Sequence, residues 1–271
     1  MHALVSKYVK IFQLGLQDTF VYRWNFFIRL FFAAIPLLGL VFYWRAIFDS
    51  GQTTTIGGYS YHGMVFYFLL TLFFEAMLSP VEDDWRIAAD IREGTLNALL
   101  LRPINYRAYR FTLFLSYRVV YAIVALFPIL IVAFFFREYI DLSRSWETYA
   151  LTVLAAIGAG ILGFMITYTV ALFAFWILEV STLVFIVFSL EYFFSGHMFP
   201  LDIMPEWIYR IVQWTPFPYE LFFVIAVYNN KMNGTELLKG FCIQLLWIVF
   251  FYLFSKWLWN RGIKKYTAVG G

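Results

Sequence analysis

The chain has 271 residues, of which 62% are hydrophobic and only 14% are charged, and its mean hydropathy is +0.74. Soluble domains are typically about half apolar and roughly one quarter charged, so this composition excludes an ordinary soluble protein and predicts a polytopic membrane protein. The single cysteine, Cys242, excludes an intrachain disulfide and a cysteine-based metal cluster.

The first predicted element is an amphipathic helix within residues 1–25. Val5, Val9, Phe12 and Leu16 recur at helical spacing, while lysines and glutamines occupy the opposite face. This pattern favours a helix that lies on the membrane surface. The segment lacks the uninterrupted apolar core of a secretory signal, so we do not expect it to be cleaved.

Six apolar runs predict membrane-spanning helices, since a crossing needs about 20 mainly apolar residues. The runs cover residues 26–48, 59–79, 111–136, 146–176, 180–195 and 241–259. Basic residues concentrate before the first run, between the second and third, and after the last. Because positive charge is retained in the cytoplasm, six crossings place both termini and residues 81–110 on the cytoplasmic side.

Residues 81–110 form the longest predicted cytoplasmic segment, and their pattern predicts two short helices. Gly94 can end the first helix, and Thr95 can cap a second one that stops before Pro103. Both helices carry charged and apolar residues. This arrangement fits either a docking surface for a soluble partner or a solvated loop that rests on the bilayer.

Residues 196–230 carry four prolines, which exclude one continuous helix. The two helical pieces, about residues 205–214 and 218–228, each reach roughly 15 Å, or half of a bilayer. A single crossing here would also move the basic C-terminal tail outside. We therefore predict an outer re-entrant helical pair, with a surface loop as the alternative. Its polar residues are candidates for an outer gate or vestibule: His197, Asp202, Glu206, Arg210 and Glu220.

Three ionisable residues, Glu75, Arg118 and Glu191, lie within predicted spans, where such residues are usually paired or functional. Glu75 and Arg118 share the cytoplasmic half and can pair. Glu191 has no obvious partner, so a transport pathway or a subunit contact is a hypothesis for it.

Catalytic and cofactor motifs are weak. The GAGILG stretch at residues 158–163 matches a dinucleotide fingerprint, but no strand precedes it. Ala155, Ala159 and Gly163 at four-residue spacing favour close helix packing instead. No Gly-Lys pair occurs, so any ATP must bind another chain. The histidines are too scattered to indicate zinc, and we expect no metal site.

Two segments resemble the permease subunits of type-2 ABC exporters. IREGTLNALLLRPI, residues 91–104, resembles the coupling segment of that family, and SGHMFPLDIMPEWIYRIVQWTPFPYE, residues 195–220, resembles its motif before the last span. The ending RGIKKYTAVGG is similar to a bacterial subfamily with paired permeases. Residues 1–271 would then form one all-α permease domain, with an interfacial helix, six transmembrane helices and an outer re-entrant pair.

The resemblance implies a non-catalytic permease in the bacterial cytoplasmic membrane, with both termini inside. A separate ABC ATPase, in two copies, would bind ATP and magnesium and drive export. A second permease chain would complete a homodimer or heterodimer in membrane lipid, without nucleic acid. The residues implied in ATPase coupling are Asp90, Ile91, Arg92, Glu93, Gly94, Thr95, Leu96, Leu99, Leu100 and Arg102. Those implied in the outer gate are Gly196, Phe199, Pro200, Pro205, Pro216, Phe217 and Pro218.

Two other functions are weighed against this one. An ATP-independent secondary transporter or channel would normally show internal repeats and several paired intramembrane charges, of which the sequence shows little. An intramembrane lipid or prenyl transferase would need a second acidic cluster beside that of residues 83–90. The substrate is left open among drugs, peptides, lipids and lipid-linked glycans.

Overall fold

A computed structural model describes residues 2–21, 23–51, 54–78, 83–177, 179–232 and 234–266. Within these ranges the chain is helical, and its one β-type contact is an isolated bridge between Ile56 and Tyr59. The α-helices are α1 His2–Val21, α2 Arg23–Ser50, α3 Tyr61–Leu78, α4 Asp83–Arg92, α5 Thr95–Leu100, α6 Tyr106–Phe135, α7 Trp146–Ala171, α8 Ser181–Phe194, α9 Glu206–Val212, α10 Phe222–Tyr228 and α11 Gly234–Lys265. Short 3-10 turns lie at Arg137–Tyr139, Leu172–Phe175, Leu201–Ile203 and Phe217–Tyr219.

Four helices of the described ranges are long and apolar enough to cross a membrane: α3, α6, α11, and α7 with its 3-10 extension to Phe175. They match the second, third, sixth and fourth predicted spans. The first predicted span lies within α2, which is one helix despite Pro36. The structure thus confirms an all-helical chain with several membrane-spanning candidates.

The fifth predicted span differs from the others. α8 has 14 residues and reaches about 21 Å, which is short of the roughly 30 Å of hydrocarbon. The chain turns immediately after it, at Gly196, whose φ of 99° suits glycine. By itself, α8 is therefore too short for the crossing that the apolar run predicted.

The main hydrophobic core lies between α3, α7 and α10. All seven residues of α10 are buried, although its sequence lies among the prolines of the outer segment. The small-residue stripe of α7 contributes Ala155 and Ala159, which are both buried in this core. The predicted role of this stripe in helix packing is confirmed.

A second core holds the α4–α5 hairpin against the C-terminal parts of α7 and α11. Ile87, Ile91 and Leu96 are buried there with aromatic residues of α7 and its 3-10 extension. The N-terminal helix α1 packs against α6, where Gly15 faces Ser116. These contacts hold α1, α4 and α5 against the longer helices.

Candidate functional site

A buried ionic network attaches the α4–α5 hairpin to the start of α6. Arg110, which is 6% exposed, pairs with the Asp90 carboxylate and donates to the carbonyl oxygen of Arg86 at 3.0 Å. Tyr106 donates to Asp90 Oδ2 at 2.6 Å, and Thr95 donates to Asp90 Oδ1 at 3.0 Å. Asp90 therefore positions the hairpin through contacts within the chain.

The start of α5 differs in detail from the sequence prediction. Gly94, with a φ of 80°, occupies the N-cap position, and Thr95 is the first helical residue. The Thr95 hydroxyl does not cap α5, because it is turned back toward Asp90 on α4. The prediction that Thr95 caps the second helix was wrong, since the left-handed turn at Gly94 already ends one helix and begins the next.

The coupling residues implied by the sequence separate into buried and exposed groups. Ile91 and Leu96 face the second core, whereas Leu100 and the neighbouring Leu101 are 44% and 89% exposed. Glu93, Thr95, Asn97 and Arg102 are also exposed, and Arg92, Gly94 and Leu99 are partly buried. We call Glu93, Asn97, Leu100, Leu101 and Arg102 the hairpin surface. Leu100 and Leu101 form the apolar part of this surface.

Before the first residue of α3, the loop that leads into the helix makes polar contacts with residues that follow α8. The Tyr59 hydroxyl donates to the Asp202 carboxylate at 3.1 Å, and Lys231 Nζ donates to Asp202 at 2.8 Å. The same ammonium lies 3.1 Å from the centroid of the Tyr59 ring. Burial and the adjacent Asp202 carboxylate raise the pKa of Tyr59, so its phenol stays protonated as a donor.

The residues of the outer motif shape the turns of the segment. Tyr67 donates to the carbonyl oxygen of Gly196 at 2.7 Å, and a Cβ at Gly196 would lie 2.5 Å from that phenol oxygen. Pro205 is the N-cap residue of α9, with Pro200 and Pro216 in the same role at the two neighbouring 3-10 turns. Phe217 and Pro218 lie within the second of these turns, and Phe199 is partly buried.

Three carboxyl groups and one imidazole border the same small cavity, and one of the carboxyl groups, that of Glu75, is about half exposed. Glu75, Glu191, His197 and Glu220 line a small cavity of about 20 Å³, together with apolar residues of α3 and α7. His197 Nε2 lies 3.9 Å from Glu75 Oε2, and His197 Nδ1 lies 2.5 Å from the Ser195 hydroxyl. The sequence offers no partner for Glu191 and makes Glu220 a candidate for an outer gate or vestibule. In the structure both residues line this one cavity.

The sequence also predicted that Glu75 and Arg118 can pair, and this stays a prediction. Glu75 Oε2 lies 3.9 Å from His197 Nε2, and the Arg118 guanidinium lies over the rings of Phe114 and Tyr121 at 5.5 and 5.3 Å. In the described part of the chain, no group of three or more potential ligands could hold a metal ion.

Replacing Glu220 with methionine is expected to stabilise the protein by about 1–3 kcal/mol. Glu220 is 8% exposed, and its Oε1 has no hydrogen-bond partner among the described residues, so the apolar substitute removes a buried polar atom without a partner. Thermal unfolding in detergent measures the change. The control is Glu138→Gln at an exposed site. A lower melting temperature for Glu220→Met alone would contradict the interpretation.

Together, the long apolar helices and their all-helical packing define a multi-pass membrane protein. A family model described as ABC-2 family transporter protein matches residues 34–270. Since the match covers most of the chain, the protein belongs to the ABC-2 transporter family, the type-2 ABC permeases, and the resemblance drawn from the sequence is confirmed. A comparison with curated proteins found no match.

Membership of this family makes the chain a permease subunit of an ABC transporter, a class that is generally non-catalytic and works with an ABC ATPase. The hairpin between α3 and α6 and the outer segment before α11 lie where the two sequence resemblances were found.

Proposed function

We propose that the chain is the permease of an ATP-driven exporter and that its ATPase docks on the hairpin surface. The observation that carries the proposal is Leu101, an apolar side chain that is 89% exposed on a hairpin fixed by the buried Asp90–Arg110 pair. A rigid support beneath an exposed apolar contact is suited to transmitting force.

The proposed mechanism follows the contacts of the hairpin. Closure of the ATPase on bound ATP and magnesium would press on α5. The Asp90–Arg110 pair would pass that displacement to the start of α6, and the buried face of α4 would pass it to α7. Both helices are long enough to reach the other side, where substrate would leave.

The proposed assembly has two permease chains and two ATPase subunits in a bacterial cytoplasmic membrane, with both termini inside. The six crossings of each permease chain would be α2, α3, α6, α7, α8 and α11. α8 would complete its crossing with the segment that follows it, and α9 and α10 would form the re-entrant pair. The complete burial of α10 supports this arrangement, because irregular backbone at membrane depth must be covered by protein.

Replacing Leu101 with glutamate is expected to reduce retention of the co-expressed ABC ATPase by about tenfold or more, because central apolar contacts carry about 2 kcal/mol or more of binding energy. Co-purification from detergent measures the retained ATPase. The matched control is Leu238→Glu, since Leu238 is 66% exposed at the start of α11, at the opposite end of that helix.

Wild-type retention by the Leu101→Glu variant, with its fold intact, would contradict docking at the hairpin surface. Transport in liposomes by the chain alone, without ATP or an ATPase, would instead favour a secondary transporter or channel.

A further inference from the structure

A cavity of about 570 Å³ opens where α6 begins and α11 approaches its end. Its walls come from α6, α7 and α11, and it holds two cationic side chains, Arg107 and Lys256, and two amide side chains, Asn105 and Asn260. No acidic residue lines the cavity in the described part of the chain. The two cationic side chains therefore give the cavity a positive electrostatic potential, and its wall is polar and aromatic.

The guanidinium of Arg107 is held in place without a carboxylate. It lies 4.4 Å from the Tyr252 ring centroid and 5.6 Å from that of Tyr168, and it donates to the Tyr252 carbonyl oxygen at 3.2 Å. Arg110, one turn further along α6, is in contrast neutralised by Asp90. Over the described residues, neither Arg107 nor Lys256 forms an ion pair with a carboxylate.

The start of α6 adds to the positive potential. The helix is 30 residues long, and the Asn105 side chain satisfies only the backbone N–H of Ala108 in its first turn. The remaining first-turn amides and the helix dipole favour an anion at this end. Two cations, a helix N-terminus and amide donors together match the needs of a phosphate group.

The surroundings of the cavity point to a lipid as the source of that phosphate. Phe111 and Met165 supply apolar wall, and Trp259 stacks on Tyr106 with ring centroids 5.0 Å apart. The neighbouring surface of α11 exposes Leu253 and Trp257 at 57% and 53%. An anionic headgroup in the cavity would thus have apolar protein surface beside it for its acyl chains.

We propose that this cavity binds the phosphate headgroup of an acidic lipid in the cytoplasmic leaflet. The assignment of the leaflet rests on the orientation given under the proposed function; binding itself does not depend on an ATPase. Basic pockets between transmembrane helices on this side are suited to acidic headgroups. Tyr106 lines the cavity and also donates to Asp90, so an occupied site would contact the network that holds the α4–α5 hairpin.

The test uses the purified full-length chain in phosphatidylcholine nanodiscs doped with spin-labelled phosphatidylglycerol or spin-labelled phosphatidylcholine. We expect the wild type to immobilise the acidic lipid preferentially. The double variant Arg107→Gln/Lys256→Gln is expected to lose about tenfold or more of that preference, since each basic residue near the surface contributes a severalfold gain.

The matched control is Lys264→Gln/Lys265→Gln, which removes two charges from the last turn of the same helix, outside the cavity. It should lose clearly less of the preference than Arg107→Gln/Lys256→Gln, because neither Lys264 nor Lys265 lines the cavity. Equal losses in the two double variants would show general surface attraction and overturn the site. If the double variant does not fold, Lys256→Gln alone, at an exposed side chain, replaces it.

A second arm uses inorganic phosphate in place of lipid. Failure of phosphate at millimolar concentration to displace the acidic lipid supports a lipid site. Displacement at that concentration, lost in the Arg107→Gln/Lys256→Gln variant, would reassign the cavity to a soluble phosphate anion. Absence of any lipid preference in the wild type overturns the proposal. None of these readouts involves an ATPase, so they are independent of the Leu101→Glu experiment.

Discussion

Replacing Arg110 with alanine is expected to destabilise the protein by about 3–5 kcal/mol, the range for removing one partner of a buried ion pair. The substitution leaves the Asp90 carboxylate without its cation and removes the side-chain donor to the carbonyl oxygen of Arg86. Both groups belong to α4, so the α4–α5 hairpin should also detach from α6. Thermal unfolding in detergent measures the first effect, and limited trypsin cleavage after Arg92, at the end of α4, measures the second.

The control for this variant is an exposed ion pair in the same chain. Arg210 donates to Glu206 at 2.5 Å, but both side chains are about three-quarters exposed. Such pairs contribute about 0–1 kcal/mol, so Arg210→Ala should barely change the melting temperature. Equal melting temperatures for Arg110→Ala and Arg210→Ala would show that the buried network does not hold the hairpin.

The second large effect is expected at Gly158 of α7, which packs against Gln244 of α11. A Cβ at Gly158 would lie 2.3 Å from Gln244 Oε1. Gln244 has little freedom to move, because its Nε2 donates to the carbonyl oxygens of Ala155 and Tyr219, both at 3.0 Å. Gly158→Ala should therefore destabilise the protein by about 1–3 kcal/mol, which outweighs the gain in helix propensity.

Gly160→Ala tests the same substitution two residues further along the same helix. The nearest atom to a Cβ there is Leu78 Cδ2 at 3.7 Å, which is an ordinary contact. Without a clash, alanine should stabilise the helix by about 0.5–1 kcal/mol. The two variants are thus expected to shift the melting temperature in opposite directions, and shifts of the same sign would refute the role of Gln244.

Much of the helical plan could be predicted from local patterns. Apolar runs located α3, α6, α7 and α11, because a long helix and a long apolar segment coincide. The length of α8 was harder to judge, since its end depends on the turn at Gly196 and not on hydropathy. The cap of α5 was misassigned for a similar reason, because the Thr95 hydroxyl bonds to Asp90 on α4, a contact that the local pattern does not reveal.

The sites depend on contacts between distant residues, and a single sequence does not encode these directly. Glu220 was placed in an outer vestibule because its neighbours in the chain are prolines, whereas its neighbours in space are Glu191 and Glu75. Gln244 was overlooked, although a lone amide within an apolar run was a usable signal. Leu101 was omitted from the coupling residues because its exposure becomes evident only once Leu96 is known to face inward.

α3 and the residues just before it contact residues 196–202 at three positions, and these contacts restrict relative motion of the two segments. Tyr59, just before the helix, bonds to Asp202; Tyr67 bonds to Gly196; and Glu75 lies beside His197. Tyr67 and Glu75 are separated by about 12 Å along the helix axis. A helix attached to one neighbour at several heights cannot slide past it, so α3 and residues 196–202 must travel as one unit. Any relative motion at this end of the molecule then needs a hinge outside α3 and residues 196–202.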